Sequence, residues 1–183
     1  MWSRFFAFLI LVLFLPFFLI IGVCIVIEDK LPIFFVQKRI GVSNSYFNIY
    51  KFRSMKRQTP NVATHLLNNP DDYLLKIGKI IRKISLDELP NLINIIRGEM
   101  VFVGPRPALY NQYDLIKMRK DAGVHLLKPG ITGWAQINGR DEISLEEKVK
   151  LEIAYFCKKS IWFDTKIIFL TIFNVFFSKG VKH

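Results

Sequence analysis

The chain has 183 residues, 51% of them hydrophobic, and carries 26 Lys and Arg against 15 Asp and Glu, a net charge of +11. That length suits one compact domain plus a membrane element and is too short for two ordinary catalytic domains unless both are minimal. A mean hydropathy of +0.27 and 17 phenylalanines require unevenly placed apolar residues, and the charge points to an anionic partner: lipid headgroups, a phosphorylated substrate or nucleic acid.

Residues 5–27 contain no charge, and 23 helical residues reach about 35 Å, enough to enter or cross a bilayer. Only Arg4 precedes the segment, and Glu28-Asp29-Lys30 follows it without a small-residue cleavage site, so a retained anchor is expected in place of a signal peptide. Pro16 removes the hydrogen bond to the Val12 carbonyl and clashes with that turn, which predicts a bend. Arg4 on one side and Lys30, Lys38 and Arg39 on the other favour a hairpin that leaves on the side it entered. A kinked helix that simply spans satisfies the same residues, and the two stand level. Cys24 in this segment and Cys157 match no metal spacing and are badly placed to pair, which fits a reducing cytoplasmic face.

Ile33 to Gln37 and Tyr46 to Tyr50 read as strands around a polar turn at Gly41 to Ser45. Residues 58–72, with Pro60 and Pro70, read as a polar loop, the segment expected to be most mobile. Helical patterns run from about Tyr73 to Lys83 and from about Asp87 to Arg97, before a short buried strand at Met100 to Val103. Trp134 to Ile137 reads as another strand, and Ser144-Leu145-Glu146-Glu147 is a capping box opening a helix to about Phe156. From Ile161 to Phe177 the chain is apolar except for a narrow stripe of Asp164, Thr171 and Asn174, continued by Ser178. The stripe predicts a helix lying against a membrane, or a core helix.

Candidate chemistry centres on Ser85-Leu86-Asp87-Glu88-Leu89-Pro90. Ser85 and Glu88 have capping-box spacing, but Pro90 would then lose a helical bond to Leu86, whereas Asp87 as the cap puts Pro90 at a position that needs none. A carboxylate at a helix start is held ionised, which suits a nucleophile toward phosphorus, and a neighbouring one suits magnesium. The residues permit such a dyad without requiring it. Arg106, between Pro105 and Pro107, is a guanidinium on a stiff backbone suited to phosphate. Lys51 and Arg53 alternate along a strand and share a face; Pro129-Gly130-Ile131-Thr132-Gly133 and Asn138-Gly139-Arg140 are glycine-rich segments able to approach a nucleotide. No P-loop, zinc-protease, hydrolase-elbow or zinc-finger pattern occurs. The basic residues are dispersed among acids, with no nucleic-acid module, so nucleic acid is set aside; a non-enzymatic basic anchor stays as the rival reading.

Taken together, Tyr50-Lys51-Phe52-Arg53-Ser54-Met55, Ser85 to Pro90, Val103-Gly104-Pro105-Arg106-Pro107 and Pro129 to Gln136 resemble the bacterial sugar transferase family of monotopic phosphoglycosyl transferases. Asn61-Val62-Ala63-Thr64 and Pro107 to Tyr113 look closer to short capsule-initiating members handling N-acetylfucosamine phosphate. The resemblance implies that Asp87 attacks a UDP-sugar, releases UMP and passes the phosphosugar to polyprenyl (undecaprenyl) phosphate. It also implies that Glu88 binds Mg2+, while Lys51, Arg53, Arg106 and Arg140 hold phosphate. It implies an α+β fold: a small mixed helix and β-hairpin catalytic domain over 30–183 with interfacial amphipathic helices, and a re-entrant membrane helix over 1–29. The catalytic domain is then expected on the cytoplasmic face of the inner membrane, in contact with its lipids, with self-association left open. The sequence departs from the family pattern at Leu15, where Ser commonly precedes the proline, and at Trp2-Ser3-Arg4-Phe5, where a basic pair followed by Asp is usual.

Overall fold

The computed structural model describes residues 2–60, 69–139 and 143–177. Helix α1 (Trp2–Leu13) and helix α2 (Leu15–Asp29) meet at a 60° bend. The predicted break is therefore present. Pro16 falls in the first turn of α2, where its missing N–H costs nothing, while Phe14 still bonds back to the Ile10 carbonyl at 2.9 Å. No single helix among the described residues is long and apolar enough to cross a membrane, although the bent pair together has the length and composition.

The hairpin is also as predicted, with β1 (Phe34–Ile40) and β2 (Tyr46–Phe52) antiparallel, Phe35 opposite Lys51 and Gln37 opposite Ile49. Alternation puts Phe47, Ile49 and Lys51 on one face of β2. The first two are buried against α4 (Leu92–Arg97), Met100 and Ala7 of α1, which aims Lys51 at the turn preceding α4. Phe52, on the other face, is buried with Ile21 and Ile25 of α2 and with Leu75 and Ile81 around α3 (Lys76–Lys83). Each half of the bent pair thus packs on its own core cluster, and the end of α2 is tied to α3, where Glu28 accepts from the Lys76 and Ile77 N–H groups at 2.5 and 3.2 Å.

Strand β3 (Val101–Val103) runs parallel to β4 (Gly130–Thr132), with Val101 opposite Gly130 and Val103 opposite Thr132. Helix α5 (Tyr113–Asp121) is held to α7 (Leu145–Lys158) by a buried bidentate pair, Arg119 to Glu152 at 2.8 and 2.5 Å. Ser144 caps α7 as its sequence predicts, accepting from the Glu147 N–H at 3.2 Å. Trp134 to Ile137 is not a strand but a single helical turn, α6. Pairing ends at Thr132, Gly133 stays extended, and its carbonyl accepts from the Ile137 N–H to close the turn, while Trp134 packs on Phe163. The first helix of the middle region starts at Lys76, later than Tyr73, because residues 70–73 form a separate 3₁₀ turn.

Helix α8 (Ile161–Phe177) is inside out. Its polar stripe faces protein: Asp164 accepts from the buried Tyr155 hydroxyl at 2.8 Å and Thr171 pairs with Thr132 at 2.6 Å. Trp162 and Phe169 on its other side are 82% and 67% exposed. Phe5, Phe8, Leu13, Phe17, Leu19 and Val23 of the bent pair are more than half exposed as well. The apolar surface lies outward on both elements.

Candidate active site

Asp87 and Glu88 lie at the start of a 3₁₀ turn, Leu86–Asn91, that runs directly into α4. Neither predicted capping register holds. Ser85 precedes the turn in a left-handed conformation (φ 56°) and makes no side-chain cap, and a 3₁₀ bond joins the Glu88 N–H to the Ser85 carbonyl at 3.3 Å. Tighter winding suits Pro90, since i to i+3 pairing places its missing N–H opposite Asp87 instead of Leu86.

Glu88 is the focus of the local charges. Lys51 Nζ donates to Glu88 Oε1 at 2.6 Å, and Arg106 Nη1 addresses the same oxygen at 3.5 Å. Burial works to raise the Glu88 pKa, but the charge of Lys51, then that of Arg106, together with their hydrogen bonds, outweighs it and brings the value down to about 2. Asp87, only 9% exposed, behaves oppositely. Burial pushes it up to about 6; Lys51 pulls against this, Glu88 adds to it, and Arg82 and a backbone hydrogen bond offset only part. Desolvation therefore dominates the short turn, and Asp87 is nonetheless mostly ionised at neutral pH.

Arg106 is positioned by backbone packing. The Gly104 N–H donates to the Thr132 carbonyl and the Gly130 N–H to the Pro105 carbonyl, both at 2.9 Å. A Cβ on Gly130 would strike the Gly104 backbone, and one on Gly133 the Gly104 carbonyl. The two glycine-containing motifs, separate in sequence, are one unit in space. Gly130 and Gly133 are approached by the protein's own chain, and that packing scaffolds Arg106.

Of the predicted phosphate ligands, Lys51 and Arg106 converge with Glu88 on one open recess of about 270 Å³. Arg53 is not brought there. The Arg53 N–H still donates to the Ile33 carbonyl at 2.9 Å, but its guanidinium turns to the end of α2, bonding Asp29 Oδ2 at 2.8 Å and the Asp29 and Lys30 carbonyls at 3.0 and 2.5 Å, where a cation suits a helix C-terminus. Arg140 and Asn61 to Thr64 lie outside the described residues. Two recess residues escaped sequence reading, Arg39 and Asn91. Arg39 shares the Lys51 face through the hairpin register, a signal available only once pairing is fixed; its Nη1 donates to the Pro107 carbonyl at 3.0 Å. Among the described residues no group of three or more His, Cys, Asp or Glu converges on a metal position.

The bacterial sugar transferase family model matches residues 1–178. The chain belongs to the bacterial sugar transferase family. Among its relatives in the family are the uncharacterized sugar transferase EpsL of Bacillus subtilis, 44% identical over 82% of this chain and 73% of that protein. The UDP-glucose:undecaprenyl-phosphate glucose-1-phosphate transferase of Escherichia coli is 39% identical over 95% of this chain and 39% of its own length. A UDP-N-acetylgalactosamine-undecaprenyl-phosphate N-acetylgalactosaminephosphotransferase of Aeromonas hydrophila is 34% identical over 93% of this chain and 41% of its own length. The chain therefore spans less than half of the latter two. As a sugar transferase it is an enzyme, which removes the non-enzymatic anchor reading.

Proposed function

We propose that this bacterial sugar transferase moves a sugar-1-phosphate from a UDP-sugar to undecaprenyl phosphate, through a covalent intermediate on Asp87. The observation that carries the reading is the asymmetry of adjacent carboxylates. Glu88 is locked in its ionised form by Lys51 and Arg106, while Asp87 has a pKa near 6. At pH 7 Asp87 is about nine-tenths ionised, yet more basic, and so more nucleophilic, than an ordinary carboxylate.

In the proposed reaction an Asp87 carboxylate oxygen attacks the phosphorus that bears the sugar. The new O–P bond forms as the anhydride P–O bond breaks, and UMP leaves with the electron pair. An oxygen of the lipid phosphate then attacks the same phosphorus, and the Asp87 carboxylate is regenerated. Lys51 and Arg106 donate to phosphoryl oxygens and offset their charge, fixed before reaction by the hairpin and by the glycine-packed loop. One anhydride replaces another, so no separate energy source is required.

Glu88 is the residue that would hold Mg2+: a hard oxygen donor, ionised far below neutral pH, beside phosphate-binding cations. When bound, the ion neutralises charge on the diphosphate and stabilises the leaving group. The outward apolar surfaces of α1, α2 and α8 support placement in and on the cytoplasmic leaflet of the inner membrane, with the bent pair re-entrant and both of its ends cytoplasmic. There the recess meets a lipid-borne second substrate. The resemblance of Asn61 to Thr64 and Pro107 to Tyr113 points to an N-acetylated deoxy-amino sugar such as N-acetylfucosamine as the sugar, for capsule or related glycan assembly.

The test is UMP release by the purified full chain in detergent, over a panel of UDP-sugars, with Mg2+ and undecaprenyl phosphate. Release from at least one UDP-sugar, strongest for the N-acetylated deoxy-amino sugar and abolished by chelation, is expected. Silence across the panel with a folded protein contradicts the reading.

A further inference from the structure

We propose that Asn91 supplies a second protein oxygen to the divalent cation held by Glu88. The winding of the catalytic segment carries the inference. Between Leu86 and Asn91 the chain is 3₁₀, with three residues per turn, so side chains at i and i+3 eclipse one another. Glu88 and Asn91 are such a pair. They stack on one face of the turn, and both line the recess with Lys51, Arg39 and Arg106.

Asn91 is 3% exposed, and its Oδ1 is buried without a hydrogen-bond partner. An unmet buried acceptor is costly and calls for a donor or a cation. Asn94, the next residue on the same spacing, also has a buried Oδ1 without a partner, but it does not line the recess and its amide Nδ2 is committed to the Asn48 carbonyl at 2.7 Å and to Glu99 at 2.8 Å, a bracing role between α4 and β2. Asn91 has no such bond to the scaffold. A carboxylate and a neutral amide oxygen on one face form a donor set hard enough for magnesium, which takes few protein ligands and leaves its other positions to water and phosphate. In this arrangement Lys51, 2.6 Å from Glu88 Oε1, would share that carboxylate with the cation.

The inference rests on the proposed transferase reading for its cation, and its test is read without turnover. Mn2+ alone is titrated into the full chain in detergent, and free ion is followed by electron paramagnetic resonance. Asn91→Ala is expected to weaken Mn2+ binding about tenfold or more, as Glu88→Gln does, whereas Asn91→Asp, which keeps shape and adds charge, tightens it. Wild-type affinity in folded Asn91→Ala, or in Asn91→Asp should the alanine variant not fold, overturns the proposal. UMP release by the same preparations separates the two ideas: a wild-type enzyme that turns over, with Mn2+ affinity unmoved by Asn91, leaves the transferase reading intact and removes only this ligand.

Discussion

Replacing Asp87 by Asn is expected to abolish turnover and make the protein more stable, two results that an ordinary surface carboxylate would not give together. Burial raises the Asp87 pKa from 3.8 to about 6, so the fold favours the protonated acid. Between those pH values the native state binds more protons than the unfolded chain, and stability is lost as pH rises through the window and stays lost above it. At 1.36 kcal/mol per tenfold change, the loss at pH 7 is up to about 3 kcal/mol. A neutral amide of the same shape escapes it. For a chain of this size that corresponds to a rise of roughly 6–12 °C in Tm. Thermal unfolding of both proteins in detergent at pH 7.5 and at pH 3.5 measures it: a clear gain for Asp87→Asn at the higher pH and none at the lower. Equal melting at pH 7.5, or a less stable variant, refutes the reasoning that desolvation governs this side chain.

Glu88 carries the opposite sign. Its folded pKa lies near 2 against 4.5, so its contribution is complete above about pH 4.5 and is lost as pH falls toward 2; Glu88→Gln is expected to lower stability at pH 7 by about 3 kcal/mol, read by the same melts. UMP formation is expected to rise tenfold per pH unit below about pH 6 and to level above it, as Asp87 ionises; a flat profile from pH 5 to 7 contradicts that assignment. Arg119→Met strands the buried Glu152 and is expected to cost about 3–5 kcal/mol in denaturant unfolding, much of it restored by also changing Glu152 to Leu. A cysteine placed at Trp2, with Cys24 and Cys157 replaced, is expected to be labelled only from the cytoplasmic side; labelling only from the periplasm removes the re-entrant arrangement.

Features set by local chemistry were legible in the sequence. Pro16 marked the bend, the alternation at 46–50 marked β2, and the Ser144 box marked the start of α7 because each depends on a few neighbouring residues. The polar stripe of α8 was visible as a periodicity, but that it faces protein depends on Tyr155 and Thr132 reaching it from elsewhere. The place of Arg53 was not legible, because alternation says which face a side chain takes and not that the open carbonyls of α2 lie within its reach. Trp134 to Ile137 has strand composition, yet it winds into a helical turn closed by the Ile137 N–H on the Gly133 carbonyl. Most consequentially, the sequence placed Asp87 and Glu88 side by side without showing that one would be desolvated and the other neutralised. That difference arises from tertiary burial and from Lys51, 37 positions away.

The decisive measurement is intact-mass and peptide analysis of the full chain after mixing with its UDP-sugar in the absence of lipid phosphate. A mass increase equal to one phosphosugar, mapped to Asp87, lost on adding undecaprenyl phosphate and missing in Asp87→Asn, is the expected result. Undiminished UMP release by Asp87→Asn, or an adduct on another residue, contradicts the covalent role of Asp87.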